Sequence, residues 1–255
     1  MQANPTRPAR TRARIVVLIS GRGSNLRAIA GACAAGSLAA DVVGVVSNRP
    51  HAAGLEWARQ AGLETAALDH KAFEDRAAFD AALAACVARF APDWIVLAGF
   101  MRILGAPFVE RFEDRVLNIH PSLLPAYPGL HTHRQALADG AMLHGATVHL
   151  VTPRLDHGPI VAQAVVPVLG ADDEASLAAR VLELEHPLYL RALGWLVEGR
   201  VDVQAGRVSI DGRQAGPERL MLHPLLGGDP TAAVAPGRQQ TRARVQETPV
   251  RHDGR

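Results

Sequence analysis

The sequence predicts an α/β protein built on a doubly wound, mostly parallel, Rossmann-like sheet, with an antiparallel extension in the C-terminal half and a terminal hairpin. Three observations lead there. Short β-branched apolar runs recur through the first half of the chain, each bounded by a glycine, a proline or a polar turn. Segments with helical apolar spacing separate them, the alternation that makes a parallel sheet covered on both faces. After about residue 140 this alternation stops, and two strand-like runs follow one another across a polar loop.

Taken in order, "RIVVLIS" (14–20) reads as a buried strand ending at Gly21. "SNLRAIAGACAAG" (24–36) reads as a helix stopped by glycine. "DVVGVVSN" (41–48) is a second buried strand, "AAGLEWARQAG" (52–62) a helix, and "LETAALD" (63–69) a weaker strand. A long helix over 73–90 ends before Pro92, because a residue preceding proline is pushed out of the helical region. "DWIVLAG" (93–99) and "RVLNI" (115–119) are further buried strands. Strands over 145–152 and 158–168 form the antiparallel extension. A helix over 173–199 is expected to break at Pro187, and 201–210 to form a hairpin turning at Ala205-Gly206. The folded domain is expected over 14–222, between a basic disordered tail (1–13) and a disordered tail without periodicity (223–255).

Composition narrows the function. Hydrophobic residues are 48% and charged residues 20%, enough apolar side chain for a sizeable core in 255 residues. No run of 18 apolar residues exists, so no membrane span is expected, and the N-terminus lacks the apolar stretch of a secretory signal. Net charge is only +2, and the sole lysine among 27 basic residues is Lys71, a composition bias rather than a nucleic-acid footprint. Cys33 and Cys86 sit in apolar helical contexts and read as buried free thiols of a reducing cytoplasm.

Two loops carry the chemistry. "SGRGSNL" (20–26) joins the first strand to the first helix, where ligands of such sheets bind. Gly21 and Gly23 allow close backbone approach, Ser24 or Asn25 can cap the helix, and free N–H groups there suit a phosphate. The loop is neither a Walker loop nor a dinucleotide fingerprint, since Leu26 stands where a third glycine belongs. A plain tight turn explains it equally well.

In "VLNIHPSLLPAYPGLHTH" (116–133), strand alternation puts Asn118 and His120 on one face and Ile119 on the other. Pro121 holds His120 extended and ends the strand at its carboxyl edge. An amide donor beside an imidazole suits acyl transfer, the amide for a developing oxyanion and the ring for a proton. A histidine there is also compatible with a purely structural role. Asp156, in "TPRLDHGP" (152–159), could orient His120 if the fold brings them together, or could be an ordinary turn aspartate. A metal site using His131, His133, His120 and Asp156 is a weaker alternative, because two loop histidines at i and i+2 fix no ligand geometry. So is a nucleic-acid binder working through its Arg-rich tails.

The segments "VVLISGRGSNL", "VLAGFMRIL", "LNIHPSLLPAYPGLHTHRQAL" and "HGATVHLVTPRLDHGPIVAQAVVPV" together resemble the phosphoribosylglycinamide formyltransferases. The resemblance spans about Arg14 to Gly212. It implies transfer of a formyl group from 10-formyltetrahydrofolate, as co-substrate and without a metal, to the amine of glycinamide ribonucleotide in purine synthesis. It further implies a cytoplasmic monomer or homodimer acting on small molecules, with no nucleic-acid or membrane partner. Asn118, His120 and Asp156 match the catalytic trio; Gly23, Ser24 and Asn25 match the phosphate cradle; and Glu185 matches a ribose contact. Arg76, Met101, Arg102, Ile103, Leu104 and Asn118 match the folate site, with Thr147 and His149 facing the same cleft. The resemblance divides the domain into a phosphate-binding half (about 14–112) and a folate and catalytic half (about 113–222). Read without it, Met101, Ile103 and Leu104 would be core and Arg102 a surface charge. The related methionyl-tRNA formyltransferases and formyltetrahydrofolate deformylases share an Asn-x-His…Asp site and are the alternatives. The "PGLHTHRQAL" run is similar to the glycinamide enzymes rather than to either.

Overall fold

A computed structural model describes residues 12–214 and 216–226. Most of the two expected tails lies outside these residues. One mixed sheet of eight strands organises the chain, in the order β10-β7-β6-β5-β4-β1-β2-β3. β1 (Ala13–Ile19) is central, pairing in parallel with β2 (Ala40–Ser47) and β4 (Trp94–Leu97). β3 (Thr65–Ala67) closes one side. On the other side β5 (Val116–His120) is parallel to β4, and β6 (Leu143–Leu150) and β7 (Ile160–Pro167) continue antiparallel. Strand order therefore reverses between β1 and β4, the switch point beside which such sheets form their ligand crevice.

The apolar strands are buried on both faces. Ile15, Val17 and Ile19 pack under α1 (Ser24–Ala34), α2 (Ala53–Gln60) and α6 (Glu174–Val197). Val16 and Leu18 pack under α3 (Arg76–Arg89) and α4 (Ala106–Arg111). Tyr189 of α6 is fully buried, and its hydroxyl lies 3.0 Å from the carbonyl oxygens of both Leu97 and Leu117. It thereby pins α6 beneath the carboxyl end of β4 and the start of β5. β8 (Val201–Gln204) and β9 (Arg207–Ile210) form the separate hairpin, with Ala205 and Gly206 both at positive φ as a tight two-residue turn requires.

Several expectations need correction. α6 does not break at Pro187, which lies inside a continuous helix. The proline removes one backbone hydrogen bond on the exposed side, while buried Leu184, Leu188 and Tyr189 hold the helix to the sheet. α4 and α5 (Thr132–Ala138) are helices to which the sequence reading assigned no element, and β10 (Leu220–Leu222) adds an edge strand parallel to β7. Order continues past residue 222. His223 is buried, its N–H bonding the Val165 carbonyl and its ring meeting Glu183. Arg12 is likewise tied in, its guanidinium reaching Asp41 at 2.7 Å and the Cys33 carbonyl at 2.8 Å.

Candidate active site

Three loops converge on the switch point, following β1, β4 and β5. In the first, Gly23 is the N-cap of α1 at φ 74°, a backbone conformation that strains other residues. A Cβ there would also lie 3.0 Å from the Gly54 Cα. No side chain caps α1, so neither Ser24 nor Asn25 plays the expected capping role. Asn25 reaches across to α6 instead, donating from Nδ2 to Glu185 Oε2 at 3.1 Å. Burial pushes the Glu185 carboxyl up from its ordinary range, and the Asn25 bond partly opposes this. The first-turn N–H groups of α1 and a half-buried carboxylate thus lie close together.

The second loop carries Met101–Leu104. Met101 is 62% and Ile103 50% exposed, so neither belongs to the core, whereas Leu104 is buried. The Arg102 guanidinium stacks 5.3 Å over the Phe79 ring. Two large apolar side chains are thus left in water on this loop, an apolar wall of the kind that suits a flat ligand. Arg76, the first residue of α3, is half-exposed and 3.7 Å from Asp80.

This loop is tied to the first by a residue the sequence did not single out. Ser20 is almost fully buried, accepts from the Met101 N–H at 2.8 Å, and donates to Asn48 Oδ1 at 2.5 Å. With the Ser20 N–H bonding to the Gly99 carbonyl at 3.1 Å, this hydroxyl ties the glycine loop to the apolar wall.

The third loop follows β5. Asn118, His120, Thr147 and His149 occupy one patch of the sheet face, because β5 pairs Asn118 with His149 and His120 with Thr147. His120 Nε2 donates to the Tyr127 carbonyl at 2.9 Å. His120 Nδ1 then faces Asp156 Oδ2 at 3.6 Å, with both side chains 7% exposed. Asp156 sits at positive φ in a turn made possible by Gly158, where any Cβ would overlap the Leu150 carbonyl. Its Oδ2 also accepts from the Gly129 N–H at 2.8 Å. A proton on His120 Nδ1 would lie between ring and carboxylate.

His149 completes the group. Its Nδ1 donates to the Leu150 carbonyl at 2.9 Å, which leaves Nε2 to accept from Asn118 Nδ2 at 3.1 Å. Burial lowers its pKa and favours this neutral ring. Asn118 is thereby oriented, with one amide hydrogen left over. Thr147 holds the loop after β5, donating to the Ser122 carbonyl and accepting from the Leu124 N–H. His133 is drawn away from Asp156 into a pair with buried His144, 3.1 Å between ring nitrogens. His131 serves as the N-cap of α5 at positive φ. Among the described residues no group of three or more His, Cys, Asp or Glu is placed to hold a metal.

A doubly wound sheet with a glycine loop, an apolar wall and an amide–imidazole–carboxylate cluster at its switch point has the architecture of an α/β enzyme. The sequence profile of the formyl transferase family matches residues 13–193. The chain is 50% identical over 204 residues to the phosphoribosylglycinamide formyltransferase of Escherichia coli, covering 80% of this chain and 96% of that one. It is 49% identical to part of a trifunctional purine biosynthetic protein of Drosophila melanogaster, covering 74% of this chain and 14% of that protein's length. A glycinamide ribonucleotide transformylase from Symbiobacterium toebii superposes with a TM-score of 0.77 at 44% identity, covering 82% of this chain and 98% of that one. The chain belongs to the formyl transferase family and is a formyltransferase.

Proposed function

We propose that this enzyme transfers the formyl group of 10-formyltetrahydrofolate to the amine of glycinamide ribonucleotide, a step of purine synthesis. The observation that carries this reading is the His120–Asp156 contact, with Asn118 on the same face of β5. The ribonucleotide phosphate takes the N–H groups at Gly23, Ser24 and Asn25, with Glu185 accepting from the ribose hydroxyls. The folate lies against Met101, Arg102, Ile103 and Leu104, with its carboxylate tail toward Arg76. The free amine attacks the formyl carbon, and charge gathers on the formyl oxygen. Asn118 donates its second amide hydrogen to that oxygen. His120 meets the same oxygen on exchanging its Tyr127 partner. Asp156 balances a charged His120 and, through water, relays the proton that the amine loses. The C–N10 bond then breaks, and N10 leaves with a proton.

The transfer as proposed needs no metal, nucleic acid or membrane surface. We place the enzyme in the cytoplasm as a monomer or homodimer. Its two cysteines are buried and unpaired, as suits a reducing compartment, and no described helix is long and apolar enough to cross a membrane. We treat residues 14–222 as the catalytic domain, with a phosphate-binding half over about 14–112. Incubating the purified chain with both substrates tests the reading. Formyl transfer to the ribonucleotide is expected; release of formate irrespective of the acceptor would instead mark a hydrolase.

A further inference from the structure

The apolar wall has little packing of its own, because Leu104 is buried but Met101 and Ile103 project into water. Three ties hold it. The Met101 N–H donates to Ser20 Oγ at 2.8 Å, the Arg102 guanidinium stacks 5.3 Å over Phe79, and the Gly105 N–H donates to Asp80 Oδ2 at 2.7 Å. The first two ties lead to one histidine that touches neither the wall nor the catalytic cluster.

β1, β2 and β3 pair in parallel, with Ile19, Ser47 and Ala67 level with one another. Ser20 and Asn48 therefore leave their strands side by side, and the 3₁₀ turn His70–Ala72 follows β3 next to them. Asn48 is 1% exposed, and its Oδ1 accepts from the Ser20 hydroxyl at 2.5 Å. His70 Nδ1 lies 2.9 Å from the Asn48 carbonyl oxygen, so it carries a proton and donates there. Asn48 Nδ2, 3.3 Å from the same nitrogen, is then a neighbour rather than a partner. His70 thus holds Asn48 by its backbone, and Asn48 holds the Ser20 hydroxyl by its side chain. A hydroxyl that donates to an amide is a better acceptor, so this chain strengthens the bond from the Met101 N–H.

The same ring meets the second tie. His70 and Phe79 lie edge to face, with centroids 6.5 Å apart and planes at 84°, and Phe79 is the fully buried ring that Arg102 stacks on. The turn itself does not need these contacts, since Asp69 already caps it by accepting from the Lys71 N–H at 3.0 Å.

We propose that His70 and Asn48 are positioning residues for the folate site, acting on the wall through Ser20 and Phe79 rather than on the folate itself. The proposal rests on the reading above that the folate lies against Met101–Leu104. Its test is steady-state kinetics with each substrate varied in turn. His70→Phe keeps a ring against Phe79 and removes the donor; Asn48→Ala removes the acceptor for Ser20. Each should raise KM for 10-formyltetrahydrofolate roughly threefold to tenfold, the worth of about one hydrogen bond, with kcat and the ribonucleotide KM within about twofold. His70→Asn, which keeps an N–H near the place of Nδ1, should recover part of the loss. Ser20→Ala and Asn48→Ala break one tie, so the double variant should bind folate no more weakly than Ser20→Ala alone. A folate KM raised less than threefold in His70→Phe, an equal rise in the ribonucleotide KM, or a double variant whose effects multiply would overturn the positioning role and leave formyl transfer standing. Should Asn48→Ala not fold, His70→Phe and His70→Asn decide the matter between them. No turnover by the unaltered enzyme would contradict the formyl-transfer reading itself, and the positioning role with it.

Discussion

Two stretches of one sheet face lie side by side and solve burial in opposite ways. Under α3 and α4 the face is Val16, Leu18, Ile95, Leu97 and Val116, which need no partners. One step along β5 the same face becomes Asn118 and His120, flanked by Thr147 and His149 of β6. Burying a polar group without a hydrogen bond costs a few kcal/mol, so each of these is paired, and the pairing is specific. The apolar stretch holds the sheet together at about 25 cal/mol per Å² buried. The polar stretch gains little by that measure and instead fixes an amide, an imidazole and a carboxylate against one another. On the proposed mechanism, the contrast separates what stabilises this enzyme from what it does.

Substitutions on the two sides should therefore fail differently. The largest effect is expected from His120→Ala, which should lower kcat by roughly 10²–10⁴, the range for acid–base and oxyanion groups, in a formyl-transfer assay. A loss under tenfold would remove His120 from the chemistry. Leu188→Ala, on the buried face of α6, should instead cost about 2–5 kcal/mol in denaturant unfolding while kcat per folded molecule is kept. If it lowered kcat as much as His120→Ala, the separation would not hold.

The polar stretch and its surroundings should also mark the acid side of the stability curve. Burial depresses His144 to about 4, and lowers His133 and His149 as well. The unfolded chain then binds more protons than the native one between the ordinary histidine range, near 6.5, and about 4. Stability should be fully present above that window and fall as pH drops through it. A drop from 6.5 to about 4, at about 1.4 kcal/mol per unit, makes the contribution of His144 alone on the order of 3 kcal/mol. Unfolding free energy against pH checks this, and His144→Gln should flatten the slope. A smaller effect is expected at Ser20. Ser20→Ala leaves the Met101 N–H without its acceptor, and should raise the folate KM several-fold with kcat changed less. An unchanged folate KM would show that the wall keeps its place without the hydroxyl.

Much of this contrast was legible in the sequence because both stretches are written on strands. Alternation along 116–120 put Asn118 and His120 on one face, and β-branched runs marked the buried strands. What escaped is what depends on non-local packing. α4 has six residues and α5 seven, too short for an apolar period, and β10 is a three-residue strand defined by its pairing with β7. The capping role expected of Ser24 or Asn25 failed because Gly23 enters the helix at positive φ while Asn25 is drawn to Glu185, 160 residues away in sequence. His149 as the holder of Asn118 follows only from the β5–β6 register, and the Asp80–Gly105 bond only from α3 meeting the loop before α4. Pro187 misled because packing on one face outweighs one missing hydrogen bond on the other.

The most direct test is Asp156→Asn, assayed for kcat and for unfolding free energy in the same preparation. The substitution keeps the shape and an acceptor for the Gly129 N–H but removes the charge facing His120. The expected result is a fall in kcat of at least about 10², with stability within about 1 kcal/mol of the unaltered enzyme. A kcat within a few-fold of the unaltered enzyme, or a loss of activity that simply tracks unfolding, would contradict the assignment of the polar stretch to catalysis.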